Sequence, residues 1–519
     1  MKKVLLFAAA AAIGFFACDM GEKVFEQTQT KEKVELTQSE MDVLYSMRNG
    51  ESNQVTLDEA TKIANEVIGF LDAETATKSG NTRSIASTTA LLSENEGEEK
   101  TKSGNAVVRG VEMPDTIAYI FNFEDGGGFT IIAADTRISP ILCFTGTGML
   151  DETNDNPGVD IFLEGMGYYI ERSIVEAEAA KDSLLLDIMA KLMETGVSDT
   201  TNAATDSRTK DPIKLPFLPD DIVIVSINTT YSYGSWSIDV RIGPLLTVEW
   251  AQGEPYSELV KFYNCSSGVA PTGCVITATS QLMSYWSHPA SIDSYIFNWS
   301  LIRQYTWTPN RYDGVGSKDI HLTNTTTEAN LVREQVARLM ERIGFHIDAE
   351  YSCGETGAVS QYAVNFLKNR GYSGGTKENY SQTPVINSLN SNRPVFARGN
   401  CYKTTIGNTI TYSGGHAWIM DGYLRRKRSV TATTTMTYYD MLINGLPGPL
   451  ITTTTTSSFI EYSPYYLHNN WGWNSYANGF YSAGCFDTNS GPHLHSNTKT
   501  VGNEGDFQYN NEIFPNIYK

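Results

Sequence analysis

The sequence has little cysteine and no pair of cysteines at metal-binding spacing. Its 519 residues include seven: Cys18, Cys143, Cys265, Cys274, Cys353, Cys401 and Cys485. A disulfide-dense scaffold is therefore ruled out, and a structural zinc site has no support because no CxxC pair is present. Each thiol is then buried, paired over a long range or reactive. We expect the protein to need no metal and no other cofactor.

Positive charge and long apolar runs are also scarce. The chain has 39 Lys and Arg against 59 Asp and Glu, a net charge of −20. Phosphate binding needs a basic surface, and the one dense basic run, residues 425–428, is too short to supply it, so nucleic acid is excluded as a partner. Beyond the N-terminus no apolar run approaches the roughly 20 residues of a membrane-spanning helix. With 41% hydrophobic and 19% charged residues, the composition is that of a globular protein.

The N-terminus has the pattern of a targeting segment. Lys2 and Lys3 precede an apolar stretch at residues 4–16, and a small residue and Cys18 follow. This order is typical of a secretory signal, so we expect residues 1–18 to form a signal peptide. The cysteine also resembles a bacterial lipoprotein processing site, which predicts lipidation of Cys18 and membrane attachment; cleavage nearby without a lipid is the alternative. In either case we expect export, to the outer envelope or cell surface or as a secreted protein.

The N-terminal part of the chain is predicted to form a small α+β region. Thr56 and Glu59 have the spacing of a capping box, which predicts a helix over residues 56–71. Two hairpin strands and two helices are predicted at residues 116–123, 129–134, 157–175 and 179–192. Residues 193–215 lack periodicity and predict a linker between regions of about 190 and about 300 residues.

The C-terminal region combines helical and strand patterns. Residues 270–289 predict a buried helix without any charged residue, and further helices are predicted at 328–343 and 357–369. Residues 405–413 and 429–459 are rich in Thr and Tyr and predict long β-hairpins. The whole chain is therefore expected to be α+β.

A candidate nucleophile lies at the start of the apolar helix. Thr272 is the expected cap and Cys274 falls in the first turn, where backbone N–H groups and the helix dipole favour an anion and lower a thiol pKa. Gly273 leaves room for a substrate beside the thiol. A cysteine at a buried helix start is more often structural, so this segment does not establish catalysis alone.

A candidate base lies in residues 412–423, YSGGHAWIMDGY. Two glycines precede His416, and histidine is the usual base for a thiol nucleophile. Asp421 is five residues further on, an odd offset that puts it on the opposite face of a strand, so we interpret it as structural, pairing with backbone.

Two further segments supply supporting groups. Residues 468–481, HNNWGWNSYANGFY, offer an asparagine that would accept from the imidazole and fix its tautomer, and a tryptophan that would shield that hydrogen bond. Gln252 precedes Cys274 by 22 positions, and its amide and the Cys274 N–H would together bind a developing oxyanion. The order Cys, His, Asn is that of papain-like enzymes.

Four segments in this order, WAQGEPY, PTGCVITATSQLMSYW, GGHAWIMDGY and NNWGW, closely resemble the streptopain family of secreted cysteine peptidases. The resemblance covers most of residues 220–519 and implies a papain-like fold and synthesis as a zymogen. It implies Cys274 as nucleophile, His416 as base, Gln252 in the oxyanion hole and Trp471 as the family's active-site tryptophan. Upstream, FEDGGGFTIIAADTRISPILCFTGTG looks like the family's inhibitory propeptide.

Two features depart from the family's pattern. Its members need not have an asparagine where papain has its third residue, whereas this chain has Asn469 and Asn470, of which alternation along a strand lets only one face His416. By spacing from Trp471, Asn469 sits where papain carries its asparagine, and Asn470 matches the Asn-Trp pair of streptopain. The second departure is a long insertion at about residues 424–462, which would shape or cover the substrate cleft.

These inferences predict a domain order and an activity. We expect residues 19–210 to be an inhibitory propeptide and residues 211–519 a catalytic domain, with cleavage beside Lys191, Arg208 or Lys210. The enzyme would cleave proteins or peptides and be inhibited by its own propeptide. The alternatives are another Cys/His hydrolase, such as a peptidoglycan amidase or a transglutaminase, and a catalytically degenerate surface lipoprotein or protease inhibitor.

Overall fold

The structure is a computed structural model that describes residues 34–35, 53–75, 82–92, 107–108, 111–151, 156–194, 222–260, 264–265, 268–306, 318–319, 324–406, 409–441, 447–487 and 511–519. The predicted signal peptide with Cys18 lies outside the described residues, as do Arg208 and Lys210. Helices and strands are interleaved along the chain, which confirms the α+β expectation. Within the described stretches no helix has both the length and the apolarity needed to cross a membrane.

The helices, the N-terminal strands and the C-terminal strands have the following bounds. The helices are α1 Leu57–Thr75, α2 Pro157–Glu194, α3 Cys274–Trp286, α4 Trp299–Ile302, α5 Thr327–His346, α6 Ser360–Lys368 and α7 Gln382–Asn390, with 3-10 turns at Glu124–Gly126 and Ala483–Phe486. The N-terminal strands are β1 Val34–Glu35, β2 Ile85–Leu92, β3 Val107–Val108, β4 Val111–Glu112, β5 Thr116–Phe123, β6 Phe129–Ala133 and β7 Ile141–Thr145. The C-terminal strands are β8 Ile222–Tyr233, β9 Ser237–Ile242, β10 Asn264–Cys265, β11 Gly268–Val269, β12 Ser291–Ile292, β13 Tyr295–Ile296, β14 Tyr305–Thr306, β15 Lys318–Asp319, β16 Glu378–Asn379, β17 Val395–Ile406, β18 Thr409–Met441, β19 Pro447–Tyr462, β20 Tyr466–Asn470, β21 Gly479–Ser482 and β22 Glu512–Phe514.

Helix α1 begins as its sequence predicts. The Thr56 N–H donates to Glu59 Oε2 at 2.8 Å, and the Glu59 N–H donates to Thr56 Oγ1 at 3.4 Å, which is a reciprocal capping box. The buried face of the helix, including Ala64 and Val67, packs on β5, β6 and β7. The predicted hairpin is present as well, because β5 and β6 pair antiparallel.

The two helices expected at 157–175 and 179–192 are instead one continuous helix, α2, of 38 residues. The expected break is wrong because the residues between the two segments, Glu176 to Glu178, are a Glu-Ala-Glu run of good helix formers. The run contains no glycine, proline or capping residue that would end a helix.

Helix α3 is the buried helix that the sequence predicts, but its start differs. The residue that caps it is Gly273, with φ of 90°, and no side chain caps the helix. Thr272 is not the cap, since its hydroxyl donates to the Gln252 carbonyl oxygen at 3.3 Å. A Cβ at Gly273 would lie 2.7 Å from the Thr356 carbonyl oxygen, so both the backbone angle and the close approach require glycine.

Strand β18 separates two cores in this region. Trp418 and Met420 point to the side of the sheet covered by α2, whereas Ala417 and Ile419 belong to the core formed with α3, α5 and α6. The alternation is the ordinary period of two along a strand. His416 is therefore carried on the strand that both helical layers hold in place.

One sheet runs through both regions of the chain. Its main path has the strand order β16-β22-β17-β18-β20-β21-β7-β6-β5-β2. Strand β21 pairs antiparallel with β7, with Phe480 opposite Phe144. Gly479 permits this approach, because a Cβ there would lie 2.6 Å from the Phe144 carbonyl oxygen. The N-terminal sheet thus covers an edge of the C-terminal one.

The expected hairpins form a ribbon that extends from the same sheet. Strand β18 is 33 residues long and pairs antiparallel with β19, with Thr433 opposite Thr456. On its other side β18 pairs with β8, where Thr433 lies opposite Thr230. The insertion predicted at 424–462 is this ribbon, and its far side pairs with Val34 and Glu35 of β1.

Candidate active site

Three residues that the sequence predicts as catalytic line one cleft. Cys274 is the first residue of α3, His416 lies in β18, and Gln252 lies on the segment before α3. All three border a cleft of about 540 Å³. The fold therefore brings a thiol, an imidazole and an amide to one place, although Gln252 lies 22 positions before Cys274 and His416 lies 142 positions after it.

The Cys274 thiol is partly buried at the floor of this cleft. Burial raises the pKa of this thiol above its ordinary value. The N–H groups of Ala417, Val275 and Cys274 itself lower the pKa, but their effect is smaller than that of burial. The backbone N–H groups at the helix start thus lower the pKa of Cys274 as expected, but the net pKa in the full chain is raised because burial has the larger effect. The thiol is held in its neutral form.

The His416 imidazole is almost completely buried and is held by a backbone group. Its Nε2 donates to the Trp471 carbonyl oxygen at 2.8 Å. A carbonyl only accepts, so Nε2 carries the proton and Nδ1 is left as an acceptor. Burial lowers the pKa of His416 to about 4. Among the described residues, the side chains of Cys274 and His416 share the cleft without a hydrogen bond between them.

Neither Asn469 nor Asn470 hydrogen-bonds to His416, which corrects the expectation that one of them faces it. Asn469 Oδ1 accepts from the Trp418 indole at 2.8 Å, and Asn470 Oδ1 accepts from Gln281 Nε2 at 3.1 Å. Their strand, β20, pairs with β18 only from Ile419 onwards, so both side chains lie beyond the level of His416. The next residue, where the chain leaves the strand, presents its carbonyl oxygen to the imidazole instead.

The tryptophan beside the histidine is Trp473, which the sequence reasoning missed. The Trp471 indole points into the core, where its Nε1 donates to the Ala477 carbonyl oxygen at 3.0 Å. Trp473 lines the cleft, and its ring meets that of His416 edge to face at 5.7 Å. Both tryptophans belong to the same WGW segment, so the motif indicated the place but not which ring faces the site.

Gln252 is fixed relative to the thiol by its backbone. Its carbonyl oxygen accepts from the Thr272 N–H at 2.8 Å, two residues before Cys274. This bond ties the Gln252 segment to the start of α3. Gln252 and Cys274 both line the cleft, which is the placement that two donors to a developing oxyanion require.

Profiles of two protein families match the chain in the order that this geometry suggests. The Peptidase C10 family matches residues 250–481, which include Gln252, Cys274 and His416. The described catalytic groups therefore lie in a region that is similar to the peptidase C10 family. The Spi protease inhibitor family matches residues 52–170, which precede the peptidase domain. The protein is therefore a cysteine-type endopeptidase whose N-terminal region is an inhibitor-like propeptide.

Individual relatives are similar to the chain as well. Streptopain of Streptococcus pyogenes serotype M1 is 25% identical over 331 residues, which cover 60% of this chain and 70% of streptopain. Among solved structures, a mutant fragment of prointerpain A from Prevotella intermedia has a TM-score of 0.43 at 17% identity and covers 79% of this chain and 98% of that one. Active wild-type interpain A of the same organism has a TM-score of 0.31 at 18% identity, with coverages of 54% and 97%.

One wall of the peptidase's cleft is pinned by a disulfide. Cys265 and Cys353, 88 residues apart, are bonded to each other, a pairing that the sequence alone did not indicate. The loop that follows Cys353 reaches the helix start, where Thr356 Oγ1 donates to the Pro271 carbonyl oxygen at 2.6 Å. The disulfide and this hydrogen bond therefore anchor the loop on its two sides, and the hydrogen bond ties it to the segment just before the nucleophile.

The inhibitor-like region of the peptidase reaches the same cleft. Pro157, the first residue of α2, lines it together with Cys274 and His416. The preceding Asn156 is completely buried, and its Oδ1 accepts from the Gly158 N–H at 3.0 Å, which fixes the start of the helix. The region that precedes the peptidase domain thus contributes a wall to the site that it would inhibit.

Asp421 is structural in the peptidase, as the sequence predicts. Its Oδ2 accepts from the Leu246 N–H at 3.0 Å, and its Oδ1 lies 2.6 Å from His468 Nδ1. Both side chains of this pair are buried, with exposed fractions of 1% and 11%. The sequence did not indicate the partner His468. It lies two strands after Asp421 along the chain, and no motif or fixed spacing relates the two residues.

Proposed function

We propose that the chain is the exported, latent zymogen of a protein-cleaving cysteine endopeptidase that works through Cys274 and His416. One observation carries the assignment of these residues: the first residue of the buried helix α3 and the histidine of β18 line one cleft, together with Gln252. A thiol and an imidazole in one water-accessible cleft, with an amide donor beside them, are the groups that acyl transfer needs.

The proposed reaction begins when His416 Nδ1 takes the proton of the Cys274 thiol. The thiolate attacks the scissile carbonyl carbon, and the Gln252 amide and the Cys274 N–H bind the resulting oxyanion. His416 then protonates the leaving amine, which departs as the thioester forms, and afterwards activates a water that releases the new carboxylate. The bond from Nε2 to the Trp471 carbonyl oxygen leaves Nδ1 as the nitrogen that takes the proton.

Latency is proposed to come from the region before the peptidase domain, residues 19–210, and activity from residues 211–519. Pro157 lines the cleft, and burial favours the neutral forms of both Cys274 and His416. Removal of the region after a cut in the linker at 193–215 would admit water and weaken the desolvation that keeps the pair neutral. The thiolate–imidazolium pair would then be able to form.

Export and lipidation at Cys18 are proposed from the sequence of residues 1–18 alone. The basic start, the short apolar core and the cysteine support a lipoprotein signal. A lipid at Cys18 would attach the zymogen to a membrane, and a cut in the linker would release the peptidase domain from it. Mass spectrometry of the membrane fraction from a producing cell would detect the diacylated N-terminus.

The test of the peptidase is a time course of the chain lacking residues 1–18, beside its Cys274→Ala variant, under reducing conditions. We expect only the parent chain to shorten to a fragment that begins at about residue 190 to 230, with casein hydrolysis rising in parallel. If both chains stay whole, a second protease is added to trim them before casein is tested.

Three outcomes would overturn the proposal. Casein cleavage by the trimmed Cys274→Ala variant would exclude Cys274 as the nucleophile. A trimmed parent chain that cleaves nothing, and whose Cys274 resists a thiol-directed peptidyl inhibitor, would exclude the peptidase. Muropeptide release without casein hydrolysis would point instead to an amidase.

A further inference from the structure

The active-site cleft contains one acidic side chain among its described lining residues, that of Glu355. The other titratable groups of that lining are Cys274 and His416, the proposed catalytic pair. Glu355 itself is exposed to solvent. A substrate that enters the cleft therefore meets a negative charge, and no lysine or arginine of the described lining offsets it.

Glu355 is held in position by the loop that carries it. Ser352 Oγ donates to the Glu355 carbonyl oxygen at 2.6 Å and accepts from the Glu355 N–H at 3.4 Å. The disulfide at Cys353 fixes one side of this turn, and the hydrogen bond from Thr356 to Pro271 fixes the other. The backbone of Glu355 is thus anchored to the segment that leads into the nucleophile.

The negative charge of Glu355 affects the pKa of the nucleophile, Cys274. After burial, which is the largest cause, the carboxylate also raises the pKa of the Cys274 thiol. Glu355 and Cys274 line the same cleft, so a substrate whose scissile bond lies at the thiol passes within range of this charge.

We propose that Glu355 makes the enzyme select substrates that carry lysine or arginine within two residues of the scissile bond. This inference rests on the proposed function and names its substrate class. A cationic side chain beside the thiol gains attraction to Glu355, and it also offsets the charge that opposes the thiolate. Because the carboxylate is exposed and screened by salt, we expect roughly a fivefold to tenfold preference for Lys over Glu rather than an absolute requirement.

The chain's own sequence offers substrates of this class. Arg208 and Lys210 lie in the predicted linker, where cleavage would separate the inhibitor-like region from the peptidase domain. The proposal therefore favours self-processing beside these basic residues over processing at the acidic and Ser/Thr-rich residues 194–207.

The test uses the trimmed enzyme and three peptides that differ only in Lys, Gln or Glu, placed in turn at each of the two positions on either side of the cleaved bond. In the parent enzyme the ratio of kcat/KM for Lys over Glu should exceed about fivefold at one or more positions, and added salt should reduce it. Glu355→Gln should bring the ratio close to one, because the ratio compares two peptides in the same variant and cancels any change in the reactivity of the thiol. Glu355→Lys should invert the ratio.

Glu254→Gln is the matched control. Glu254 is an exposed acidic residue two positions after Gln252 and is not among the residues that line the cleft. Its replacement removes the same charge from the molecule without removing it from the cleft. The Lys over Glu ratio should therefore be unchanged in this variant.

A second measurement needs no substrate turnover. Cationic and anionic methanethiosulfonate reagents label a thiol at rates that report the local charge, so the parent enzyme should favour the cationic reagent at Cys274, and Glu355→Gln should remove several-fold of that preference. Equal reagent and peptide ratios in the parent and Glu355→Gln enzymes, with casein still cleaved, would overturn this inference alone. An unreactive Cys274 in a trimmed chain that cleaves nothing would overturn the proposed function.

Discussion

The α-carbon of Gly158 lies against the indole ring of Trp471, because a Cβ at Gly158 would come within 2.2 Å of the ring atom Cε3. Gly158 is the second residue of α2, and the carbonyl oxygen of Trp471 is the partner of His416. One contact therefore joins the inhibitor-like region to the residue that orients the imidazole. Close packing at this point makes the docking of α2 sensitive to a single methyl group.

We predict that Gly158→Ala loosens the docking of α2 in the full-length chain. The added methyl group must displace the Trp471 ring or the helix, at a cost of about 1–3 kcal/mol. Labelling of Cys274 by a peptidyl thiol reagent should become at least several-fold faster. Gly167→Ala is the control on the same helix, since a Cβ there meets nothing within 4 Å. Equal labelling rates in the two variants would show that this contact does not guard the site.

We predict that Gln252→Ala lowers kcat of the trimmed enzyme by a factor of about 10² to 10³, with a much smaller change in KM. The amide would act on the oxyanion, which exists only after the thiolate has attacked. Alkylation of Cys274 by a small neutral reagent should remain at the parent rate, because Gln252 is not proposed to activate the thiol. A variant that retains most of its kcat would remove Gln252 from the mechanism.

The parts of the site that depend on side-chain chemistry and local pattern could be predicted from the sequence. The uncharged apolar helix predicted a buried position for Cys274, and the two glycines before His416 predicted an imidazole that a substrate can approach. The capping box at Thr56 fixed the start of α1 for the same reason, since its hydrogen bonds span only three residues. The streptopain-like motifs added the order of the catalytic groups.

The parts that depend on register and on backbone atoms could not be predicted. The partner of His416 is a carbonyl oxygen, a group that every residue carries, so no residue type marks it. Whether Asn469 or Asn470 faced the imidazole depended on where β20 stops pairing with β18, and the strand ends such that neither does. The bond between Cys265 and Cys353 likewise depends on two segments that meet only in the folded chain.

We predict that burial of His416 makes the zymogen less stable in mild acid. Its pKa is about 4 in the folded chain against an ordinary value of 6.5, so the unfolded state binds more protons between these values. The stability that the neutral ring contributes is complete above about pH 6.5 and is lost as the pH falls towards about 4. At about 1.4 kcal/mol for each pKa unit, the loss amounts to roughly 3 kcal/mol.

Urea unfolding in the Cys274→Ala background, with and without His416→Gln, would measure this contribution. Glutamine does not titrate, so the second chain should lose less stability between about pH 7.5 and about pH 4.5. The difference between the two losses isolates His416 from the many other carboxylates and histidines of the chain. Identical losses would mean that His416 is not buried in the neutral form.

We predict that Asp421→Asn destabilises the peptidase domain by about 2–5 kcal/mol and leaves the chemistry intact. The carboxylate holds both the Leu246 N–H and the His468 ring in the interior, and an amide cannot accept from both with the same strength. The control is Asp239→Asn, which removes a more accessible ion pair with Arg425 and should cost about 1 kcal/mol or less. Thermal unfolding would rank the two variants. At a temperature where both are folded, kcat/KM should match the parent enzyme, and a large loss confined to Asp421→Asn would instead make this carboxylate part of the catalytic site.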